Sequence, residues 1–272
     1  MLFTEMISAP SVIYGDRDRL LGFSQEEHPI VAQLGGGDPV QLAESVRIMT
    51  QYGYDGIDLN CGCPSSRVRA GSFGASMMLD IPLVARCIRS MKKATHLPIS
   101  VKCRIGVDDQ EPSQTLPSFI AAATEAGVDS ITVHARKALL DGISPKKNRR
   151  VPPLDYQVVH DMKRRFPDVH MVINGGISSL EDGIKNHLSV MDGIMLGRTA
   201  YKQPLVLTEV DSKIYGDVQS DVNIDHVIEV MMEYARSYVR SGGKMSHVTR
   251  HMLGILHGVP NARSLRRTWC AL

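Results

Sequence analysis

The chain of 272 residues is 43% apolar, enough for one sizeable core with an appendage, which excludes a disordered tail protein or a small disulfide scaffold. Its 31 Lys+Arg against 29 Asp+Glu leave a net charge of only +2, so a nucleic-acid-binding face has to come from local segregation of charge. No uncharged apolar run reaches the roughly 18 residues of a membrane span, and no basic segment followed by an apolar one opens the chain, so a soluble, cytoplasmic protein without a membrane partner is expected.

Apolar runs of strand length recur at residues 3–8, 30–34, 56–60, 99–102, 130–134, 170–174 and 193–196, each flanked by Gly, Pro, Asn or Asp. Between them, residues 39–52, 81–94, 113–126, 155–166 and 178–187 carry apolar side chains at helical spacings of three and four. Strands alternating with helices predict a parallel sheet covered by helices, either an open doubly wound sheet or a (β/α)8 TIM-barrel-like fold. Polar residues decide between the two. Gln33, Asn60, Lys102, His134, Asn174 and Arg198 stand at the C-terminal ends of successive strands, and a barrel gathers those ends on one face where an open sheet would gather fewer. A closed barrel needs eight strands and seven are found, so the first strand and its helix are expected to be absent before Met1.

At residues 211–223 the pattern breaks into a polar, turn-rich linker, followed by helical patterns at 224–239 and 246–257. The expected organisation is a catalytic domain at 1–215 and a small helical appendage at 221–272. From Tyr234 onward the appendage holds seven basic residues and no acidic one, which fits a phosphate-binding surface or an ordinary solvated face.

Asn174-Gly175-Gly176 and Gly197-Arg198 end the last two strands, where glycine lets backbone N–H groups approach a phosphate; two ligand-free turns are the plain alternative. Lys102 and His134 would face the same mouth, and a lysine there could stabilise negative charge on a reduced flavin, although a strand-end histidine is more often structural. Gln33 has the donor and acceptor to read that ring's uracil-like edge. Of five cysteines (Cys61, Cys63, Cys87, Cys103, Cys270), an odd number that suits reduced thiols, Cys63 lies in an exposed turn before Pro64 and is the candidate general acid or nucleophile; Cys61 reads as packing. No convergent ligand set for a metal can be placed. The long loop between His134 and Asp155 carries Arg136, Lys137, Lys146, Lys147, Arg149 and Arg150 against Asp141 alone, so a polyanion could lie across it with one base entering the barrel.

The segments TEMISA, GDRDRLLGF, HPIVAQLGG, YDGIDLNCGCPSSRV, GSFGASMML, VKCRIGVDD, VHARKALLDGISPKKNRRVPPLDY, INGGI, DGIMLGRTAY and TRHMLG span essentially the whole chain and resemble the dihydrouridine synthases. The likeness is strongest to the A branch, which acts on positions 20 and 20a of transfer RNA. The resemblance implies an FMN-binding barrel, a helical tRNA-binding domain, NADPH as reductant, and reduction of the uridine C5=C6 bond; a monomer is expected. It assigns Cys63 as proton donor to C5 and Asn60 as a contact to the target nucleotide. Gln33, Lys102, His134, Asn174, Gly175, Gly176, Gly197 and Arg198 match FMN contacts, and Lys146, Arg149, Arg263 and Arg266 match residues that grip tRNA. The family's first strand, with its Ala-Pro-Met motif, and its last helix have no counterpart in the sequence. Two other readings are an inactive RNA-binding remnant and an FMN barrel reducing a small molecule; the basic loop and appendage count against the latter.

Overall fold

A computed structural model describes residues 1–66, 68, 71–218, 222–259 and 261–271, without the side chains at 268, 270 and 271. The expected domain boundary at Asp221 and the side chain of Cys270 lie outside the described residues. The chain divides into two compact units, one of Met1–Gly176 with His187–Met195, the other of Ile177–Asn186 with Leu196–Leu272.

The first unit is built on a parallel sheet of β1 (Leu2–Phe3), β2 (Ile7–Ser8), β3 (Ile30–Gly35), β4 (Gly56–Cys61), β5 (Ile99–Arg104), β6 (Ser130–His134), β7 (Met171–Asn174) and β8 (Gly193–Met195). The order is β1-β3-β4-β5-β6-β7-β8, with β2 also on β3, and among the described residues no ladder joins β8 back to β1. With β1 and β2 sharing one position beside β3, the described sheet has seven successive parallel positions, the succession of a (β/α) barrel with one strand fewer than the eight of a closed one, as the sequence led one to expect. The predicted strand at 3–8 is corrected to two short ones beside the same neighbour, Leu2–Phe3 opposite Ile30 and Val31, and Ile7–Ser8 opposite Leu34 and Gly35. The break has a local cause: the Gln33 N–H donates to the Thr4 side-chain oxygen at 2.9 Å instead of to a ladder carbonyl.

The helices begin where a carboxylate can accept orphan N–H groups. In the order α1 (Ala9–Tyr14), α2 (Arg17–Leu21), α3 (Pro39–Thr50), α4 (Ile81–Ala94), α5 (Pro112–Glu125) and α6 (Tyr156–Arg165), the last four are capped by Asp38, Asp80, Glu111 and Asp155. Three of these four follow the cap with proline in the first turn. Leu42, Val46 and Met49 of α3 and Val84, Ile88 and Met91 of α4 are buried, the apolar stripe expected of a helix laid on a sheet.

The N-terminal edge of the sheet is held by a repeated device. Asp55, Asp129 and Asp192, each directly before a Gly/Ser-Ile strand start, accept from the N–H of Ile30, Ile99 and Met171 at 2.6, 2.6 and 2.7 Å. The same carboxylates pair with His28, Lys92 and Lys163. Each pins the start of one strand to the start of the next and fixes the register of the ladder between them.

The second unit contains α7 (Leu180–His187, less its last residue), α8 (Arg198–Lys202), α9 (Ile224–Arg240), α10 (Met245–Met252) and α11 (Ala262–Ala271). Ala235, Val248, Met252 and Ile255 form its core, packed by Val227, Met231, Tyr238, Met245 and Trp269. The predicted linker at 211–223 falls inside this unit, where Asp211–Tyr215 makes one wide helical turn.

Candidate active site

Strand register decides which side chains meet. Gln33 pairs with Asp58, Asp58 with Ser100, Asn60 with Lys102, Lys102 with Thr132, Arg104 with His134, and His134 with Asn174. Paired residues point to one face, so this set forms a polar surface across five strands. The alternate residues, Ile57, Leu59 and Cys61, Val101 and Cys103, Ile131 and Val133, Met171 and Ile173, are buried on the opposite, helix-covered face.

On the polar face the Gln33 Nε2 donates to Asp58 Oδ2 at 2.8 Å, and its Oε1 accepts from Asn60 Nδ2 at 2.7 Å. Each end of the Gln33 amide is engaged once, which leaves it one N–H and one lone pair. Ser100 Oγ donates to the other Asp58 oxygen at 2.8 Å. Burial pushes the fully enclosed Asp58 carboxyl up to about 6, against the Gln33 and Ser100 hydrogen bonds and the attraction of Lys102.

Asn60 carries this network into the cysteine turn. Its Oδ1 accepts from the N–H groups of Gly62 and Cys63 at 3.0 and 2.9 Å, an Asx turn that presents Cys63 half-exposed while Cys61 stays buried in β4. Gly74, at φ +70, underlies the turn; a Cβ there would stand 2.6 Å from the Cys63 carbonyl oxygen.

Lys102 Nζ donates to Asn174 Oδ1 at 3.1 Å, and Asn174 Nδ2 donates to the Met195 carbonyl at 2.7 Å. Loss of solvent around the ammonium, with the nearby Arg104 charge, pulls Lys102 down to about 8. Asn174 leads into Gly175 and Gly176, both at positive φ, and a Cβ on Gly175 would lie 2.7 Å from Cδ2 of the buried His134 ring. Only glycine allows that approach. Tyr156 Oη donates to the Gly175 carbonyl at 2.5 Å from the far side of the turn.

Arg104, 4% exposed, was not among the residues singled out from sequence, yet it ties two loops together. Its Nε donates to the Gly62 carbonyl at 3.1 Å and its Nη1 to the carbonyls of Lys137 and Asn148 at 3.4 and 3.3 Å. Burial lowers the guanidinium to about 10. The buried Asn148 folds the basic loop on itself, exchanging two 2.8 Å bonds with the Leu139 backbone, and leaves Lys146 and Arg149 exposed.

The structure therefore brings Gln33, Asn60, Lys102, His134 and Asn174 onto one surface, with Cys63, Gly175 and Gly176 on turns that continue from it. Gly197, Arg198, Arg263 and Arg266 belong to the second unit. There Gly197 precedes α8, Arg198 and Arg263 are exposed, and Arg266 donates to the Leu256 carbonyl at 3.3 Å. Asp58, Arg104 and Asn148 went unnoticed in the sequence. The one available sign was the D-x-N and K-x-R alternation in IDLNC and SVKCR, which puts polar groups on one side of strands that otherwise read as buried. Among the described residues no three His, Cys, Asp or Glu side chains are grouped to hold a metal ion, and no helix is long and apolar enough to cross a membrane.

The family described as "Dihydrouridine synthase (Dus)" matches residues 1–271. The chain is 46% identical over 268 residues to the tRNA-dihydrouridine(20/20a) synthase of Escherichia coli K12, covering 98% of this chain and 77% of that protein. It is also 46% identical to the enzyme of that name from Synechocystis (98% and 80% covered) and 43% identical to that of Shewanella oneidensis (98% and 79%). Among solved structures, an old yellow enzyme homologue from Zymomonas mobilis shares the fold at 15% identity and a TM-score of 0.55, with 81% of each chain covered.

Proposed function

Because the chain belongs to the dihydrouridine synthase family, we propose that it reduces the C5=C6 bond of uridine at positions 20 and 20a of tRNA, using FMN and NADPH. The observation that carries this reading is 46% identity to tRNA-dihydrouridine(20/20a) synthases along 98% of the chain. The polar sheet face supports it with a suitable set of side chains.

The residues fit a flavin. Lys102 is a half-buried cation whose hydrogen-bond partner, the Asn174 amide, is neutral, so it can answer negative charge on a ligand. Gln33 keeps one donor and one acceptor for a ring edge, in an orientation set by Asp58 and Asn60. The positive-φ turn at Gly175 and Gly176 presents backbone where a Cβ would otherwise intrude, and His134 packs beside it. Gly197 and Arg198 are further candidates for the phosphate group. Bound FMN, once reduced by NADPH, would supply a hydride to uridine C6.

Cys63 would donate the proton that C5 requires, which keeps the addition of hydrogen balanced across the bond. Asn60 holds the turn that aims the thiol. In the basic loop Lys146 and Arg149, and in the helical unit Arg263 and Arg266, would hold the phosphate backbone of the RNA. We assign cofactor binding and catalysis to residues 1–215 and tRNA binding to residues 221–272, aided by Lys146 and Arg149 of the basic loop.

The test is to incubate the protein with FMN, NADPH and an unmodified tRNA transcript and to map the product by mass spectrometry. The gain of two hydrogens at U20 or U20a is expected. A colourless protein that shifts tRNA in a gel without modifying it would favour an RNA-binding remnant. Reduction of a free enone or orotate in place of tRNA would favour small-molecule chemistry.

A further inference from the structure

We infer that Asp58 is a positioning residue for this reaction: it fixes which way round the amides of Gln33 and Asn60 stand, and through Asn60 it holds the turn that carries Cys63. The inference rests on the proposed role of Cys63 as proton donor.

Hydrogen-bond polarity sets the direction of the whole chain. An amide is nearly symmetric in shape, and either end of Gln33 would fit the space of the other. A carboxylate is not symmetric in chemistry, because when ionised it only accepts. With Asp58 accepting, Gln33 must present Nε2 to it and Oε1 to Asn60. Asn60 must then present Nδ2 to Gln33, which leaves Oδ1 for the N–H groups of Gly62 and Cys63. Reverse the first amide and the last contact becomes N–H against N–H, and the turn loses its cap.

Packing alone does not require a carboxylate at this position. The residues beside Asp58 and Lys102 on the neighbouring strands, Ser100 and Thr132, are neutral, and the Lys102 hydrogen bond goes to Asn174 rather than to Asp58. A buried charge without a hydrogen-bonded counter-ion is costly and tends to mark a functional need. The titratable groups that act on it are few. Lys102 on β5 faces it, and the thiols of Cys61 and Cys103, on the opposite face of β4 and β5, are pushed up by burial and stay neutral.

Protonation would give Asp58 a donor of its own, so that the carboxyl end would no longer dictate a single direction for the amide chain and the cap on the cysteine turn would weaken. The carboxyl, raised to about 6, must therefore be ionised for activity. The experiment follows single-turnover uridine reduction by holoenzyme at saturating flavin as a function of pH. The wild type is expected to lose rate as pH falls through about 6. Ser100→Ala removes a hydrogen bond to the ionised form and should move that limb to higher pH. Asp58→Asn should abolish the limb and lower the plateau rate by about tenfold or more. If both variants keep the wild-type limb and plateau, the inference fails. Should Asp58→Asn not fold, an unmoved limb in Ser100→Ala overturns it alone. A wild type that makes no dihydrouridine at any pH sinks the underlying functional reading instead.

Discussion

Lys102 of β5 and Asn174 of β7 reach across the intervening strand β6 and meet at 3.1 Å, ammonium to amide oxygen. The second arm of Asn174 is committed to the Met195 carbonyl, so the lysine faces an oxygen that cannot turn away. Its partner is uncharged, and the cation stays available to a ligand. With burial pulling Lys102 down to about 8, flavin affinity should weaken as pH rises from there, and Lys102→Met should bind about tenfold or more weakly with no such dependence. The flavin-free protein should show the opposite trend in stability, gaining as pH rises from about 8 toward 10.5, where the unfolded chain keeps a proton that the folded one has shed. Fluorescence titration and urea denaturation read the two effects; a flat affinity profile would remove Lys102 as the ligand's counter-charge.

Asp58 should trade stability for function. Its carboxyl is raised from 3.8 to about 6, so its contribution to folding is present below the lower value and is lost as pH rises through the upper one. A displacement of that size is worth up to about 3 kcal/mol. Flavin-free Asp58→Asn should therefore melt higher than wild type at neutral pH, with the advantage vanishing at pH 4. A lower melting temperature at neutral pH would mean that the two hydrogen bonds to the carboxylate outweigh its desolvation.

Arg104 holds the cysteine turn and the basic loop by three backbone carbonyls. Arg104→Met leaves those acceptors unpaired, at about 1–3 kcal/mol for each that stays buried. Limited proteolysis should then cut faster between Leu139 and Arg150. Lysine should not rescue, since one ammonium lacks the fork that spans the three positions. Unchanged cleavage would show that Asn148 alone maintains the loop.

Cys63→Ala should abolish uridine reduction while leaving flavin content and NADPH-driven flavin reduction intact. Stopped-flow absorbance separates the two halves. Cys61, Cys87 and Cys103 are buried with thiols pushed well above the ordinary range, so iodoacetamide should modify Cys63 ahead of them and inactivate in step. Full turnover in the alanine variant would end the proton-donor role.

Arg263→Glu with Arg266→Glu should weaken tRNA binding and flatten its salt dependence by roughly two in the log–log slope. An unchanged slope in filter binding would show that these arginines do not meet phosphate.

The strands were legible because each is an apolar run bounded by turn residues, and the barrel type because polar residues recur at the strand ends. What could not be read was the pairing among those residues. Gln33 and Asp58 are 25 positions apart, and Asp58 and Ser100 are 42 apart, so only the register shows that they share a face. Taken singly, Asp58 within IDLNC is an unremarkable polar residue in a strand, and Gln33 looks free to serve a ligand. The same holds at the other edge of the sheet. Asp55, Asp129 and Asp192 recur before Gly/Ser-Ile, but their use as pins appears only once the neighbouring strand supplies its N–H.

The strict alternation along β4 constrains how this protein can diverge. Asp58 and Asn60 face the polar side and Ile57, Leu59 and Cys61 the opposite one, so dropping or adding one codon within that strand would invert the side chains downstream in it, driving a carboxylate into the oily layer and leucine onto the polar face. Changes in length must therefore accumulate in the connecting segments.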